Sequence, residues 1–488
     1  MIVVKEQHQI MKKYLTALSL IVCVFLGAIG FLLTKKMPFG LVFHLSLIIF
    51  IIGFLSLLVY IAYTTWRQKS LFKKILASLI GLVTIFLAVV MIAGVIDIRL
   101  LLPSISSQTL TKEQWVEDLE FLDKRLQKHP AYNDSLGGIV SKHRYQIEKV
   151  RNLEDYQAIR TAMNMVSTFK DGHSNVMPFQ LYLKTRYLPI QTYEFEDGVY
   201  ITASKYKDLV GGKIVSINNH RIEKLLEEIT PLIGADNSSY TKYQSAMYIP
   251  NLDILKILDR VTSTAEANIK IALNGKEATK SLVSVNMLRW LFWSLAPNDD
   301  WRPVGHNIRS KKNNVVKKND TLLYLTFNKT GPEELLTDFG SNLRNEVYGN
   351  KIKHLIIDMR NNTGGDNTSY NDLIEALTEI KIDLTLFTSR KTFSAGINFI
   401  SELKLKRNFR IIGENTGAGH NHYGDAQTIF LPHSGLMIRI STREWAFIPE
   451  IHENTIEPDQ LIRYTSSDYF SHVDPWLKAL QNTSNRRN

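Results

Sequence analysis

The stretch Lys353-His-Leu-Ile-Ile-Asp-Met-Arg-Asn-Asn-Thr-Gly-Gly-Asp366 constrains this chain most. An apolar run passes into charges, two amides and a glycine pair. It reads as a buried strand feeding a turn whose backbone must approach something closely, because glycine has no Cβ to hold a neighbour off. The pattern around it alternates. Thr321 to Phe327 reads as a strand, Asn371 to Leu377 as an amphipathic helix, Asp383 to Phe387 as a strand, Ala395 to Leu405 as a helix and Phe409 to Ile412 as a strand. This order predicts a largely parallel sheet with right-handed crossovers. Such sheets carry their chemistry beyond the carboxyl ends of the strands. Two turns fall there: the glycine pair, and Thr392-Phe-Ser-Ala-Gly396.

The 488 residues are too many for one core, so several domains are expected. Three apolar stretches open the chain: Tyr14 to Thr34, Leu41 to Tyr63 and Ile75 to Ile98. Each has the roughly 20 residues needed to cross about 30 Å of hydrocarbon. Three in series argue against a signal peptide and predict a transmembrane anchor over residues 1–99. Lys5, Lys12, Lys13, Arg67, Lys69, Lys73 and Lys74 fall on one side of these spans. Lys35, Lys36, Arg99 and Lys112 fall on the other. By the positive-inside rule the N-terminus is expected inside and the long C-terminal part outside. The expected location is a bacterial cell membrane, multi-pass, with an extracellular ectodomain and the lipid bilayer as a partner.

Residues 100–185 read as a helical part. Thr111 and Gln114 have capping-box spacing before the stripe Trp115, Leu119, Leu122 and Leu126. A second helix from about Leu153 runs into the polar turn Lys170-Asp-Gly-His-Ser174. Residues 186–286 read as β-rich. Hairpins are expected around Asp197-Gly198 and Asn274-Gly275, with a helical or irregular middle from about Gly234 to Val261. The aromatic cluster Trp290, Phe292 and Trp293 reads as core packing. Residues 287–488 hold the βαβ core.

The net charge of +11 comes from scattered Lys and Arg. No zinc-finger spacing, RNA-binding signature or basic-aromatic stripe accompanies it, so nucleic acid is not an expected partner. A single cysteine, Cys23, excludes disulfides within the chain and any cysteine-built metal site.

Ser394 lies where a strand gives way to a helix. Its hydroxyl is expected at a helix N-terminus, where unpaired N–H groups and the dipole favour negative charge. A nucleophile there needs oxyanion donors. The Ala395 N–H is the natural first, and Gly364 or Gly365 supplies the second. It also needs a base. Among the 13 histidines, His173 in its Gly-Ser turn is the best placed, with His420 and His422 beside Asp425 as a second group. Read by spacing alone, Ser394 is more readily a helix cap and the glycine pair a tight turn, while His173 is equally a solvated turn residue. His420, His422 and Asp425 make an incomplete zinc set, and no His-Glu-x-x-His helix occurs. No metal or cofactor is expected.

Leu355-Ile-Ile-Asp-Met-Arg-Asn-Asn-Thr-Gly-Gly365, Thr392-Phe-Ser-Ala-Gly396, Gly413-Glu-Asn-Thr-Gly417 and Ile456-Glu-Pro-Asp459 together resemble the motifs of the C-terminal-processing and tricorn-core family of serine peptidases, in the same order. The resemblance spans about residues 108 to 480. It implies a PDZ-like domain carrying Val210-Gly-Gly-Lys-Ile-Val-Ser-Ile-Asn-Asn219 with an insertion, and a βαβ peptidase core; with the three transmembrane helices and the helical cap read above, the expected fold class is membrane-anchored α+β/α/β. The lysine-using branch places its base shortly after the serine, near Gly419 here, where no lysine lies. The histidine-using, tricorn-like branch implies Ser394 as nucleophile, His173 as base and Glu453, rather than Glu450 or Glu457, orienting the imidazole. The implied activity is hydrolysis of peptides or unfolded protein segments through an acyl-enzyme. The competing expectation is a catalytically silent peptide-binding envelope protein on the same fold. Oligomeric state is not readable.

Overall fold

The computed structural model describes residues 109–151, 153–177, 185–287, 289–290, 314–317, 320–331 and 339–484. All of them fall in one compact unit. The three apolar stretches between Tyr14 and Ile98 lie outside the described residues, as do Phe292 and Trp293. The membrane-anchored fold class is corrected. Among the described residues no helix is long and apolar enough to cross a membrane, and the architecture found is a mixed α/β fold.

The described chain begins with three helices, α1 (Lys112–Leu126), α2 (Asp134–Glu148) and α3 (Asp155–Ser167). The Thr111–Gln114 capping box forms as the spacing predicts, and Trp115, Leu119, Leu122 and Leu126 are buried. Helix α2 had no counterpart in the sequence reading. It buries only Gly137, Val140 and Ile147, a stripe too thin to stand out. Strands β1 (Asn175–Met177) and β2 (Arg186–Tyr187) lead into β3 (Ile190–Phe195) and β4 (Gly198–Ser204), hairpinned at Asp197-Gly198. After β5 (Lys213–Ile217) and β6 (His220–Arg221) come α4 (Ile222–Ile229), α5 (Ser238–Tyr248) and α6 (Leu252–Ile257). The hairpin β7 (Glu266–Leu273) and β8 (Lys276–Val283) closes an antiparallel sheet of order β3-β4-β5-β7-β8, with β6 on β5. Strand β9 (Val285–Asn286) pairs with β2. Trp290 stacks on Tyr187 at 4.7 Å and donates its indole N–H to the Ile190 carbonyl.

The second sheet sets the site. After β10 (Asn314–Lys317) its strands and helices alternate: β11 (Leu322–Thr326), α7 (Phe339–Gly349), β12 (His354–Asp358), α8 (Asn371–Glu379), β13 (Asp383–Thr388), α9 (Ala395–Lys406) and β14 (Arg410–Gly413). Strands β15 (Asn421–Gly424), β16 (Gln427–Phe430), β17 (Met437–Ile440) and β18 (Arg443–Ala446) follow, then β19 (Gln460–Leu461), α10 (Ser466–Phe470) and α11 (Pro475–Ser484). The sheet order is β10-β11-β12-β13-β14-β19. All neighbours from β11 to β19 are parallel, and β10 is an antiparallel edge.

Parallel sheets need cover on both faces, and the strand alternation supplies it. Leu323, Leu325, Leu355, Ile357 and Leu386 pack on one face with Leu373 and Leu377 of α8 and Phe399 of α9. Tyr324, Ile356, Phe387 and Ile412 pack on the other with Tyr464 and Trp476. The register pairs Asp358 with Phe387, so the two turns leave the sheet side by side at its carboxyl edge.

Candidate active site

The β13–α9 turn is laced to the β12 turn. The Thr392 hydroxyl donates to the Met359 carbonyl at 2.9 Å, the Ser389 hydroxyl to the Arg360 carbonyl at 2.6 Å, and the Phe393 N–H to the Asn362 carbonyl at 3.0 Å. These bonds hold Ser394 at φ 54 and ψ −129, a backbone conformation that non-glycine residues seldom adopt. Its carbonyl accepts from the Ile397 and Asn398 N–H groups and starts α9, while its hydroxyl makes no capping bond. The hydroxyl instead lies 2.8 Å from Nε2 of His173. With Nε2 accepting from Ser394, the ring proton of His173 sits on Nδ1.

His173 reaches the serine from the turn after α3, and stacking holds its ring. Phe393, the residue before Ser394, packs on it at 4.5 Å, and Tyr240 packs behind Phe393 at 4.2 Å. His422 lies near-parallel on the imidazole at 5.8 Å.

The glycine pair meets the serine at very close range. A Cβ on Gly364 would fall 2.6 Å from Ser394 Cβ and 2.9 Å from the Ala395 nitrogen. Gly364 sits at φ 96 and Gly365 at φ 147. The Gly364 N–H is already given to Asn362 Oδ1 at 3.0 Å. Among the described residues no acceptor takes the N–H of Gly365 or of Ala395.

Glu453 does not join this group. It is exposed, and among the described residues the only carboxylate within 4 Å of a His173 ring nitrogen belongs to Asp171. Gly419 packs against the Glu453 backbone: a Cβ there would meet its carbonyl at 2.1 Å. Glu450 is exposed and Glu457 is exposed.

His420, His422 and Asp425 do not converge either. His420 Nδ1 bonds the Ser401 hydroxyl at 2.8 Å, His422 Nδ1 the Gly419 carbonyl at 3.2 Å, and Asp425 faces Arg443 at 3.8 Å. Among the described residues no three His, Cys, Asp or Glu side chains cluster as a metal site would need.

Burial pushes His420 and His422 down to about 4, with Lys404 adding to the effect at His420 and His173 at His422. Both folded values lie below the unfolded value near 6.5, so the unfolded chain binds more protons between those limits. Stability therefore rises with pH across that window and is lost as pH falls from about 6.5 to about 4, by about 3 kcal/mol per group at the full shift. Urea unfolding at about pH 7 and about pH 4.5 checks this, and His422→Phe should flatten the dependence. Equal slopes in the two proteins would exclude His422 as a source.

The other family-like motifs are scaffolding for the turn. Glu414 pairs with Arg390 at 2.5 Å, the Thr416 hydroxyl accepts the Ile456 N–H at 2.8 Å, and Asp459 accepts the Ile411 N–H at 2.7 Å.

Neither a comparison with models of known protein families nor one with curated proteins finds a match to this sequence. Solved structures do match. Mature CPAF complexed with lactacystin is similar with a TM-score of 0.54 at 13% identity, over 76% of this chain and 97% of that one. Mature CPAF alone gives 0.53 at 14%, over 73% and 94%. The photosystem II D1 C-terminal processing protease gives 0.37 at 13%, over 72% and 94%. The fold is thus one shared with the two CPAF structures.

Proposed function

We propose that the chain is a serine peptidase that cleaves peptides or unfolded protein segments through an acyl-enzyme. The observation that carries this reading is the 2.8 Å contact between His173 Nε2 and the hydroxyl of Ser394 at the start of α9. A structural cap would spend that hydroxyl on the helix; here it is turned to a base.

In acylation, Ser394 Oγ attacks the scissile carbonyl carbon as His173 Nε2 takes its proton. The oxyanion meets the Ala395 N–H and, of the glycine pair, the Gly365 N–H, because the Gly364 N–H is held by Asn362. Each such donor lowers the barrier by roughly 3–4 kcal/mol. His173 then passes its proton to the leaving nitrogen and the C–N bond breaks. In deacylation, water gives a proton to His173 and attacks the acyl carbon, and Ser394 recovers its proton as the ester C–O bond breaks.

The test is covalent labelling of the full chain by a fluorophosphonate, together with turnover of an unfolded protein. Ser394→Ala and His173→Ala should each abolish both, while His420→Ala should leave both in place. Labelling that survives Ser394→Ala would sink the assignment. Absence of labelling and turnover in the unaltered chain would favour a silent peptide-binding protein.

A further inference from the structure

We propose that Asp171, on the same turn as the base, is the carboxylate that positions His173 and balances its charge, in place of Glu453. This rests on the reading of Ser394 and His173 as a hydrolytic pair.

The Nδ1–H of His173 is buried and has no hydrogen-bond acceptor within bonding distance. A buried donor of this kind is costly unless something answers it. The nearest carboxylate oxygen is Asp171 Oδ1, 3.7 Å from Nδ1. The same oxygen accepts the His173 backbone N–H at 2.9 Å, so ring and carboxylate ride on one rigid turn. Catalytic hydrogen bonds are often long before substrate arrives and tighten in the complex.

The surroundings keep Asp171 ionised. Its side chain is fully buried, which by itself would raise its pKa. Hydrogen bonds from His129 and Ser174, with the His173 ring close by, outweigh burial and hold the carboxyl well below its usual range. His129 is fixed as the donor: its Nδ1 accepts the Ala131 N–H at 3.1 Å, which leaves the proton on Nε2, 3.1 Å from Asp171 Oδ2. The Ser174 hydroxyl donates to the same oxygen at 2.5 Å and accepts the Ser441 N–H at 2.9 Å. Asp236 accepts the Gly172 N–H at 2.8 Å on the far side of the turn. Burial, and then the charge of Asp171, push the Asp236 carboxyl well above its usual range, so of these two carboxyls Asp171 carries the charge. Arg439, Tyr240 and Tyr423 also face this charge, and His422 faces both it and His173.

An anion beside the imidazole favours its protonated form. Asp171→Asn keeps the shape and removes the charge. It should lower kcat by about 10²- to 10⁴-fold with KM changed only a few-fold. The acid limb of kcat/KM should move to lower pH, because the imidazolium loses its counter-charge. Glu453→Gln should leave both rate and limb in place. The limb shift separates positioning from simple loss of packing. Where turnover of Asp171→Asn is too slow to profile, NMR titration of the His173 ring in the Ser394→Ala background reads the same shift without activity. A limb or ring titration that Asp171→Asn leaves unmoved overturns the proposal, as does one that Glu453→Gln moves instead. If the unaltered chain neither hydrolyses peptide nor labels at Ser394, the failure lies with the peptidase reading itself.

Discussion

Gly364→Ala is expected to cost at least about a thousandfold in kcat while the sheet stays folded. The new methyl would lie 2.6 Å from Ser394 Cβ, 3.0 Å from its Oγ and 2.9 Å from the Ala395 nitrogen. It therefore pushes the nucleophile off its line to His173 and covers a donor that the oxyanion needs. Loss of one such donor alone costs about 10²- to 10³-fold, and displacement of the serine adds to it. Alanine at φ 96 also carries backbone strain of about 1–3 kcal/mol, so the thermal midpoint should fall modestly. Steady-state kinetics beside a melting curve separates the two effects. A variant that keeps more than about a tenth of its kcat would show that Gly364 does not shape the site.

Arg360→Ala is expected to remove about 3–5 kcal/mol of stability. The guanidinium is fully buried and forms a fork–fork pair with Asp358, with bonds at 2.9 and 2.8 Å. Two further bonds at 3.0 Å reach Asp474, at the head of α11. Its flat faces meet Trp476 at 4.7 Å and Phe387 at 5.4 Å. Burial opposes the charge on Arg360, but its aspartate partners outweigh burial and hold its pKa above the ordinary value. Truncation leaves two carboxylates buried without their cation, which costs far more than the loss of a surface pair. Urea unfolding measures the difference; a loss below about 1 kcal/mol would mean that water or another cation takes the place of Arg360. The Asp-x-Arg of the β12 turn thus reads as an anchor that ties the C-terminal helix to the strand end below the glycine pair.

The parallel core was legible because its strands are buried on both faces and its turns carry glycines with one physical reason to be there. Ser394 and His173 were legible as candidates, but their 221-residue separation hid the contact between them. Helix α2 was missed because Gly137 and Gly138 interrupt an already sparse apolar stripe, although Asn133 caps it through the Leu136 N–H. Glu453 came from motif order alone. Order fixes where a residue lies along the chain, not whether its carboxylate or its carbonyl faces inward, and here the carbonyl packs against Gly419. Asp171 looked like an ordinary turn aspartate, a residue type favoured in turns for local reasons. What distinguishes it is burial and a histidine 42 residues earlier, and no local pattern encodes either.

The wide separation of His173 and Ser394 along the chain also has a temporal meaning. A ribosome delivers His173 long before Ser394, and the strands that seat Ser394 follow the helices that seat His173. Contacts between distant segments form only after the intervening chain has been closed into a loop. A partly synthesised chain therefore carries a base with nothing to activate. On the proposed peptidase reading, hydrolytic competence arrives late, as a certificate that both halves of the fold have been made and have met.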